Sequence, residues 1–431
     1  MCSATSSEHV PMTRFLLHGL LFTLLLPSLA LSFPQDSSSA VPFKIRRAGD
    51  FLQRKDSTGA QIYLLIGDVL ISRETTTISC DSLSYFPDSG FFNCLGSVQV
   101  ADSVRTLRCD TLFYYIERAY YRAAGNMEWN SGKLLGSGDQ GEYWRDDDLF
   151  RVTGEAFAAD SARQLRSETM EYEYATEILR AAGKVRFADN ESGSTAEAAG
   201  ALYRSRDKLL VLRGRPVLTY YEDEDSLHQD PYSLTGDVVT SFSQDSLVAV
   251  GRVRLWRDSL SVTSDSLFHD RALDKNHFRG GPPLVEHPEY RLTADLLNVT
   301  SRERRLELIE AEGRGRGEFG TGGDSTAPGA QEVLGSWIEG DTLRLFFGSS
   351  AMDSIYAAGS ARSYYQESGQ SGVNYVQGGR LLLVFENNLL EVVEVRGGGR
   401  GVYVPPDTGG VITVIPDSSG FMQPADSVSP R

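Results

Sequence analysis

Glycines recur along this chain every 29 residues, and each lies at the centre of a strand-like apolar pattern. In LRAAGKVRF (179–187), apolar residues occupy every second position except the central one, Gly183. A fixed period of this length indicates an architecture in which each repeat buries its apolar face by stacking on its neighbours. The glycines of the series are Gly67, Gly96, Gly125, Gly154 and Gly183, followed at looser spacing by Gly214 and Gly251.

A second strand pattern alternates with the first, and an acidic residue marks it. It reads SCDSLSY at 79–85 and RCDTLFY at 108–114, and its acid lies 14 residues after a glycine of the series. Period-two alternation in both patterns gives every strand one apolar and one polar face. Turn sequences such as PDSG (87–90) separate the strands. The sequence therefore predicts an all-β fold made of two-strand repeats.

The short turns favour an elongated antiparallel sheet, although a 29-residue period also fits one coil of a parallel solenoid. Glycine weakens a strand interior, so it usually marks a bend, a bulge or a close approach. The alternation places the glycines on the apolar face. A row of them across successive strands would let the sheet fold along a line into a V, with its apolar halves facing each other. Alternatively, the glycines only relieve crowding in a packed core.

The chain begins with the features of an export signal. Arg14 precedes an apolar stretch at 15–29, and the ALS sequence at 30–32 fits a small-x-small cleavage site. The stretch is short for a membrane span, so a retained anchor is the weaker interpretation. We therefore predict a signal peptide at 1–32.

The formal net charge of −16 excludes several classes of partner. Removing residues 1–32 leaves it unchanged, because Glu8 and Arg14 are lost together. Nucleic acids and anionic membranes both attract basic surfaces, so a chain this acidic is a poor candidate for either. We interpret the charge as a contribution to solubility.

Three cysteines follow the signal within 30 residues, Cys80, Cys94 and Cys109. In an exported chain, three cysteines allow one disulfide and one free thiol. A hairpin that turns about Asp102 would put Gly96 opposite Cys109, with Cys94 diagonal to it on the same face. The sequence therefore predicts a Cys94–Cys109 disulfide.

No pattern in the chain predicts a catalytic, metal or cofactor site. Acids in neighbouring repeats, such as Asp81 and Asp110, would stand about 10 Å apart, which exceeds the roughly 5–9.5 Å of paired glycosidase carboxylates. The histidines at 269, 277 and 287 match no metal-ligand spacing. The glycine–arginine run at 312–325 lacks the lysine of a phosphate-binding loop. We expect a protein without catalytic activity, metal or cofactor.

The repeat resembles the OstA/LptA family of lipopolysaccharide-transport proteins, in particular its longer OstA-like members. The resemblance rests on LIGDVLIS (65–72), on TISCDSLSYFPDSGFFNCLGSVQV (77–100), and on the strand pair TLRCDTLFYY and AAGNMEW that follows. It is strong over 50–225, weaker over 226–310, and returns at EGDTLRLFF (339–347) and at 387–407. The pairs Gly67-Asp68 and Gly183-Lys184 lack the asparagine that the family commonly has after this glycine.

The resemblance implies a folded antiparallel sheet, a V-shaped jelly roll whose apolar trough shields the acyl chains of lipid A. It also implies a periplasmic bridge protein, with an outer-membrane association as a further hypothesis. Its partners would be lipopolysaccharide or a related glycolipid and other Lpt-type proteins docked at the sheet edges, with end-to-end homo-oligomers as another arrangement.

We divide the chain accordingly into seven parts. They are a signal (1–32), a linker (33–49), a first repeat domain (50–225), a second repeat domain (226–311), a glycine-rich insertion (312–332), C-terminal repeats (333–407) and a disordered tail (408–431).

The predicted lipid contacts are the apolar alternation positions of the middle repeats. For any one of them, an ordinary core position is an equal alternative. Two other functions stay open: a structural or adhesive β-solenoid with a self-filled core, and a β-helix enzyme that cleaves polysaccharides. The predicted contacts are Val98, Val100, Leu112, Tyr114, Met127, Trp129, Phe150, Val152, Met170, Tyr172, Val185 and Phe187.

Overall fold

A computed structural model shows that the chain forms one long antiparallel β-sheet of 28 strands within its described residues. None of the described segments forms a helix long and apolar enough to cross a membrane. The all-β repeat fold predicted from the sequence is confirmed. The structure describes residues 43–424 except 104, 119, 131–134, 145, 174, 191–192, 205, 221–230, 243–245, 271, 303–304, 320–334, 349–351, 367–372, 387–388, 405–413 and 417–421.

The first half of the sheet consists mostly of strands of 10 to 13 residues. A single 3-10 turn, Pro87–Ser89, interrupts the described part of this half. The strands are β1 (Lys44–Arg47), β2 (Asp50–Lys55), β3 (Gln61–Arg73), β4 (Thr76–Phe86), β5 (Phe91–Ala101), β6 (Thr106–Tyr115), β7 (Tyr120–Asn130), β8 (Leu135–Trp144), β9 (Leu149–Ala159), β10 (Arg163–Glu173), β11 (Ile178–Asp189), β12 (Thr195–Arg204), β13 (Leu209–Arg213) and β14 (Val217–Tyr220).

The second half continues the same sheet and adds a separate pair at the C-terminal end. Its strands are β15 (Tyr232–Thr235), β16 (Val238–Phe242), β17 (Ser246–Arg257), β18 (Leu260–Asp270), β19 (Lys275–Arg279), β20 (Leu284–His287), β21 (Tyr290–Thr293), β22 (Leu296–Arg302), β23 (Arg305–Phe319), β24 (Ser336–Phe347), β25 (Met352–Gln366), β26 (Val373–Glu386), β27 (Leu389–Arg396), β28 (Arg400–Val404), β29 (Val414–Pro416) and β30 (Met422–Pro424).

We call each strand position in the sheet a layer, which holds either one long strand or two short strands end to end. Each layer pairs with the layer next to it along the chain, and every described pairing is antiparallel. Six layers consist of two short strands, such as β13 and β14, which pair with the two halves of β12. The 28 strands therefore form 22 layers among the described residues. At about 4.8 Å per layer the sheet extends on the order of 100 Å. A meander of this kind excludes a parallel solenoid for the described strands.

The repeat glycines lie in β-bulges, except Gly214, which lies between β13 and β14. Ile66 on β3 is opposite Ser82 on β4, and Val69 is opposite Cys80, so that Gly67 and Asp68 together face one residue, Asp81. Both bulge residues have positive φ, 80° at the glycine and 48° at the aspartate. The same register shift recurs in β5, β7, β9, β11 and β17. Since a bulge bends its strand and increases the local twist, the glycines form a line of bends across the sheet.

The prediction that the repeat glycines belong to the apolar face is wrong for five of the seven, whose open side faces an acidic residue: Gly96, Gly125, Gly154, Gly183 and Gly251. At Gly67 the nearest atoms are those of Gly49. A Cβ at Gly183 would lie 2.3 Å from Oε2 of Glu168, which is exposed on the preceding strand β10. The left-handed backbone turns this position away from the normal alternation of the strand. At Gly214 the neighbour is Ala199 instead of an acid.

The acids opposite the bulges bind the side chain that follows the glycine. Lys184 Nζ lies 2.9 Å from Glu168 Oε1, and Asn126 Nδ2 donates to Asp110 Oδ2 over 2.8 Å. These groups are exposed, and such pairs contribute about 0–1 kcal/mol each. The role that the structure gives these recurring acids is therefore to pair with the side chain of the second bulge residue.

Several of the predicted domain boundaries are wrong. Residues 312–319 of the proposed insertion continue β23, and residues 44–47 of the proposed linker form β1. The boundary predicted at 225 lies outside the described residues, and the sheet continues across it, because β14 pairs with β15 and β13 pairs with β16. The predicted disordered tail contains the paired strands β29 and β30. The signal peptide at 1–32 lies outside the described residues.

Candidate functional site

The apolar faces of the strands meet in one continuous core that extends from Leu65 on β3 to Leu383 on β26. Nine of the twelve predicted lipid contacts are buried, and Val100, Trp129 and Phe150 are half-buried. All except Tyr172 belong to the core or pack against it. The sequence pattern therefore identified the inward face correctly. Whether these residues contact a lipid stays a prediction.

An apolar cavity of about 90 Å³ lies at the N-terminal end of this core, between β3 and β9. Phe43 closes one side of it and makes edge contacts with Phe92 and Tyr114 at 5.2 and 5.6 Å between ring centroids. Polar residues of the adjacent turns form its rim, among them Arg73 and Arg105. Its walls are Ile78, Val100, Leu107, Leu112, Tyr114, Tyr121, Trp129 and Phe150.

Along the rest of the described core, the inward side chains are mostly buried against one another. A second space, between β10 and β13, measures about 20 Å³ and is lined by small residues such as Ala181 and Ala196. The larger cavity is itself smaller than the roughly 150 Å³ apolar cavity that accommodates one benzene ring. The prediction of a trough open along its whole length is therefore wrong for this conformation. Apposed apolar surfaces close on each other because contact with water costs free energy.

Strand β8 lines the interior with glycine, a feature that the sequence analysis missed. A Cβ at Gly136 would lie 2.3 Å from the Trp129 ring, and one at Gly141 would lie 2.3 Å from the Met127 sulfur. Bulky side chains of the neighbouring strands thus lie over a bare strip of backbone. The signal was visible in LGSGDQG (135–141), where glycine replaces the apolar residues of the other repeats.

Trp129 combines three features of a ligand contact. It lines the cavity, it lies over Gly136, and its indole Nε1 is buried without a hydrogen-bond acceptor among the described residues. A buried donor that lacks an acceptor is uncommon in folded proteins and costs about 1–3 kcal/mol. An acceptor oxygen on a bound molecule would remove this cost.

The hydroxyl group of Tyr121, which lines the cavity, stays protonated at neutral pH. Burial raises the pKa of Tyr121 far above its ordinary value, and the neighbouring Tyr143 adds to the effect. The cavity wall therefore contributes no negative charge through Tyr121, which suits an apolar ligand.

The predicted Cys94–Cys109 disulfide is absent, and Cys80, Cys94 and Cys109 are all buried free thiols. Cys109 is opposite Val98, whereas Cys94 is opposite Leu112. The hairpin closes with Ala101 opposite Thr106, so its turn lies further along the chain than a turn about Asp102, and the bulge of β5 then separates the two positions. The thiol in contact with Cys94 is that of Cys80.

The three histidines considered as metal ligands each contact a neighbouring asparagine or tyrosine side chain. His269 Nδ1 lies 3.1 Å from Asn276 Oδ1, and His277 Nδ1 lies 2.7 Å from Asn298 Oδ1. His287 stacks on Tyr290. Within the described part of the chain, no group of three or more His, Cys, Asp or Glu residues is arranged to hold a metal ion.

No family model matches the chain, and no curated protein matches it. Among solved structures, one similar protein is LptH from Pseudomonas aeruginosa, the LptA homologous periplasmic component of a lipopolysaccharide transport device. The alignment covers 25% of this chain and 82% of that one, at 14% identity and a TM-score of 0.24. A likeness of this size carries no conclusion about function.

Proposed function

We propose that this protein is a non-enzymatic carrier of acyl chains, an LptA-like periplasmic bridge for lipopolysaccharide or a related glycolipid. The observation that supports the proposal best is the apolar cavity at one end of an apolar core that extends through the sheet. Its polar rim would leave a headgroup in water while the chain enters the core.

The energetics explain why such a carrier needs a long apolar interior. A saturated chain of about 14 carbons loses on the order of 10 kcal/mol when it leaves a membrane for water, at about 0.8 kcal/mol per CH₂. The cavity as described replaces only part of this burial. Loading therefore requires side chains to move, and Trp129 and Met127, which lie over the glycines of β8, are the side chains that would have to move to admit a chain.

The ends of the sheet are the proposed docking sites for partner proteins. Every residue of β2 is exposed, including Phe51 and Leu52, and in the described structure β2 pairs with β3 on one side. An edge strand of this kind can pair with another chain. If copies stack end to end, the mean mass in sedimentation experiments should rise with concentration, and Leu52→Pro should lower it to that of a monomer. A constant monomer mass for the wild type would exclude stacking.

A second candidate function, a structural rod, is favoured by the burial of the inward side chains against one another along the described core. A self-filled sheet needs no ligand for its stability. The two functions differ in whether the inward face contacts a lipid.

Photo-crosslinkers on the two faces of the sheet test the carrier function. Trp129 and Phe187 point inward, and their neighbours Glu128 and Arg186 are exposed. We expect crosslinkers at Trp129 and Phe187 to capture an acyl-chain probe at least several-fold more than those at Glu128 and Arg186. Equal capture on both faces would contradict the assigned interior.

A further inference from the structure

The indole Nε1 of Trp129 is a buried hydrogen-bond donor in the wall of the apolar cavity. No acceptor lies within hydrogen-bonding distance of it among the described residues. The atom lies close to β8, since a Cβ at Gly136 would stand 2.4 Å from it. Buried donors in folded proteins are paired with few exceptions, so this one indicates where an acceptor from outside the chain can bind.

Trp129 lies directly beneath the polar rim of the cavity. Leu107 on β6 is opposite Trp129 on β7, and both line the cavity. Thr106 and Asn130, the next residues towards the turns, are opposite each other and line it as well. A lipid whose headgroup stays at these polar residues would therefore place the beginning of its chain beside the indole.

The protein itself offers the indole little competition for an acceptor at this level. Val100, Leu107 and Phe150 give the cavity wall its hydrocarbon surface. The one carboxylate of the described lining, Asp102, accepts the backbone N–H of Arg105 over 2.8 Å within its own turn. The acceptor that Trp129 lacks is therefore expected on the ligand.

We propose that Trp129 Nε1 donates a hydrogen bond to the carbonyl oxygen of a bound acyl chain, so that the site selects chains joined by an ester or amide bond. The inference rests on the proposed carrier function and adds the chemical group by which the chain is recognised. A carbonyl follows directly after the headgroup, which is the level of the indole. An alkyl ether or an isoprenoid chain has no carbonyl there and would leave the donor unpaired.

The donor keeps its level even when the ring moves to admit a chain. The backbone of Trp129 is paired with Leu107 on one side and with Gly136 on the other. These pairings fix the strand, and a rotation of the side chain moves the ring away from Gly136 without changing its distance from the rim by more than the ring's own length. The N–H therefore stays within reach of a carbonyl at the start of the chain.

Two lysophosphatidylglycerols that differ only in the chain linkage test the proposal, one with a myristoyl ester and one with the matching myristyl ether. Calorimetric titration with monomeric lipid measures their affinities for the exported full-length protein. We expect the wild type to bind the ester about tenfold more tightly than the ether, because the ether leaves a buried donor unpaired. Equal affinities would overturn the proposal. Failure of both lipids to bind the folded wild type would overturn the carrier function, and the inference with it.

Trp129→Phe removes the N–H and retains an aromatic ring, and it should bind the ester and the ether with equal affinity. Trp144→Phe is the matched control. Trp144 contacts Tyr120 with ring centroids 5.4 Å apart, and it is absent from the cavity lining. This control should keep the tenfold preference for the ester. An ester preference that persists in Trp129→Phe would contradict the assignment of the donor.

If Trp129→Phe fails to fold, the indole N–H resonances of the wild type decide the question. The chain has four tryptophans, so nitrogen-15-labelled tryptophan gives a simple spectrum. Saturation with the ester should move one indole proton downfield, as a new hydrogen bond does, and saturation with the ether should not. Absence of a downfield shift with the ester would overturn the proposal.

Discussion

Gly183→Ala is expected to destabilise the sheet around β10 and β11 far more than a strand substitution of this size usually does. The residue has a φ of 76°, and the new Cβ would lie 2.3 Å from Glu168 Oε2 and 2.8 Å from its Cβ. Left-handed strain and overlap together should cost about 3 kcal/mol. Hydrogen exchange of β10 and β11 is the appropriate measurement, because long repeat arrays lose all-or-none unfolding.

Gly200→Ala is the matched control for this prediction. Gly200 lies in the next strand, β12, has no positive φ, and a Cβ there would meet its nearest neighbour at 3.6 Å. We expect its protection to stay the same or to increase, since alanine restricts the unfolded chain more than glycine does. Glu168→Ala should restore part of the stability of Gly183→Ala by removing the carboxylate. Equal losses in the two glycine variants would contradict the bulge interpretation.

Leu107→Trp is expected to abolish binding of acyl chains without loss of stability. Leu107 is half-buried, lines the cavity and lies opposite Trp129 on the adjacent strand. The larger ring would fill the space that a ligand enters, and filling a cavity commonly stabilises a protein by about 0.5–2 kcal/mol. If the protein carries acyl chains, the Leu107→Trp variant should therefore bind no ligand, while its unfolding midpoint stays constant or rises.

Arg108→Trp is the control for Leu107→Trp. Arg108 is the next residue of β6, is exposed, and faces away from the interior. This variant adds the same indole to the outer face and should retain the ligand. Loss of ligand in both variants would indicate a general effect of the substitution on β6.

The fold could be predicted from the sequence because both of its signals are local. Period-two alternation identified the inward face, and the spacing of Gly96, Gly125, Gly154 and Gly183 identified one bulge in every second strand. The face of the sheet to which the glycines belong was predicted wrongly. Strand alternation assumes a regular backbone, and these residues have a left-handed conformation.

The candidate site could be predicted only in part. The register error at Cys94 and Cys109 arose at the turn, because the hairpin closes with Ala101 opposite Thr106 and therefore brings Val98, and not Gly96, opposite Cys109. The cavity depends on the volumes of side chains from several strands, such as Phe43, Leu107 and Phe150, which are far apart in the sequence. No pattern within one repeat contains that information.

Mass spectrometry of lipid that co-purifies with the exported protein tests the central claim most directly. The account predicts that the wild type and Arg108→Trp carry an acyl lipid and that Leu107→Trp does not. A folded wild-type protein that carries no lipid and captures none from membranes would contradict it. The filled interior would then mark this protein as a rod.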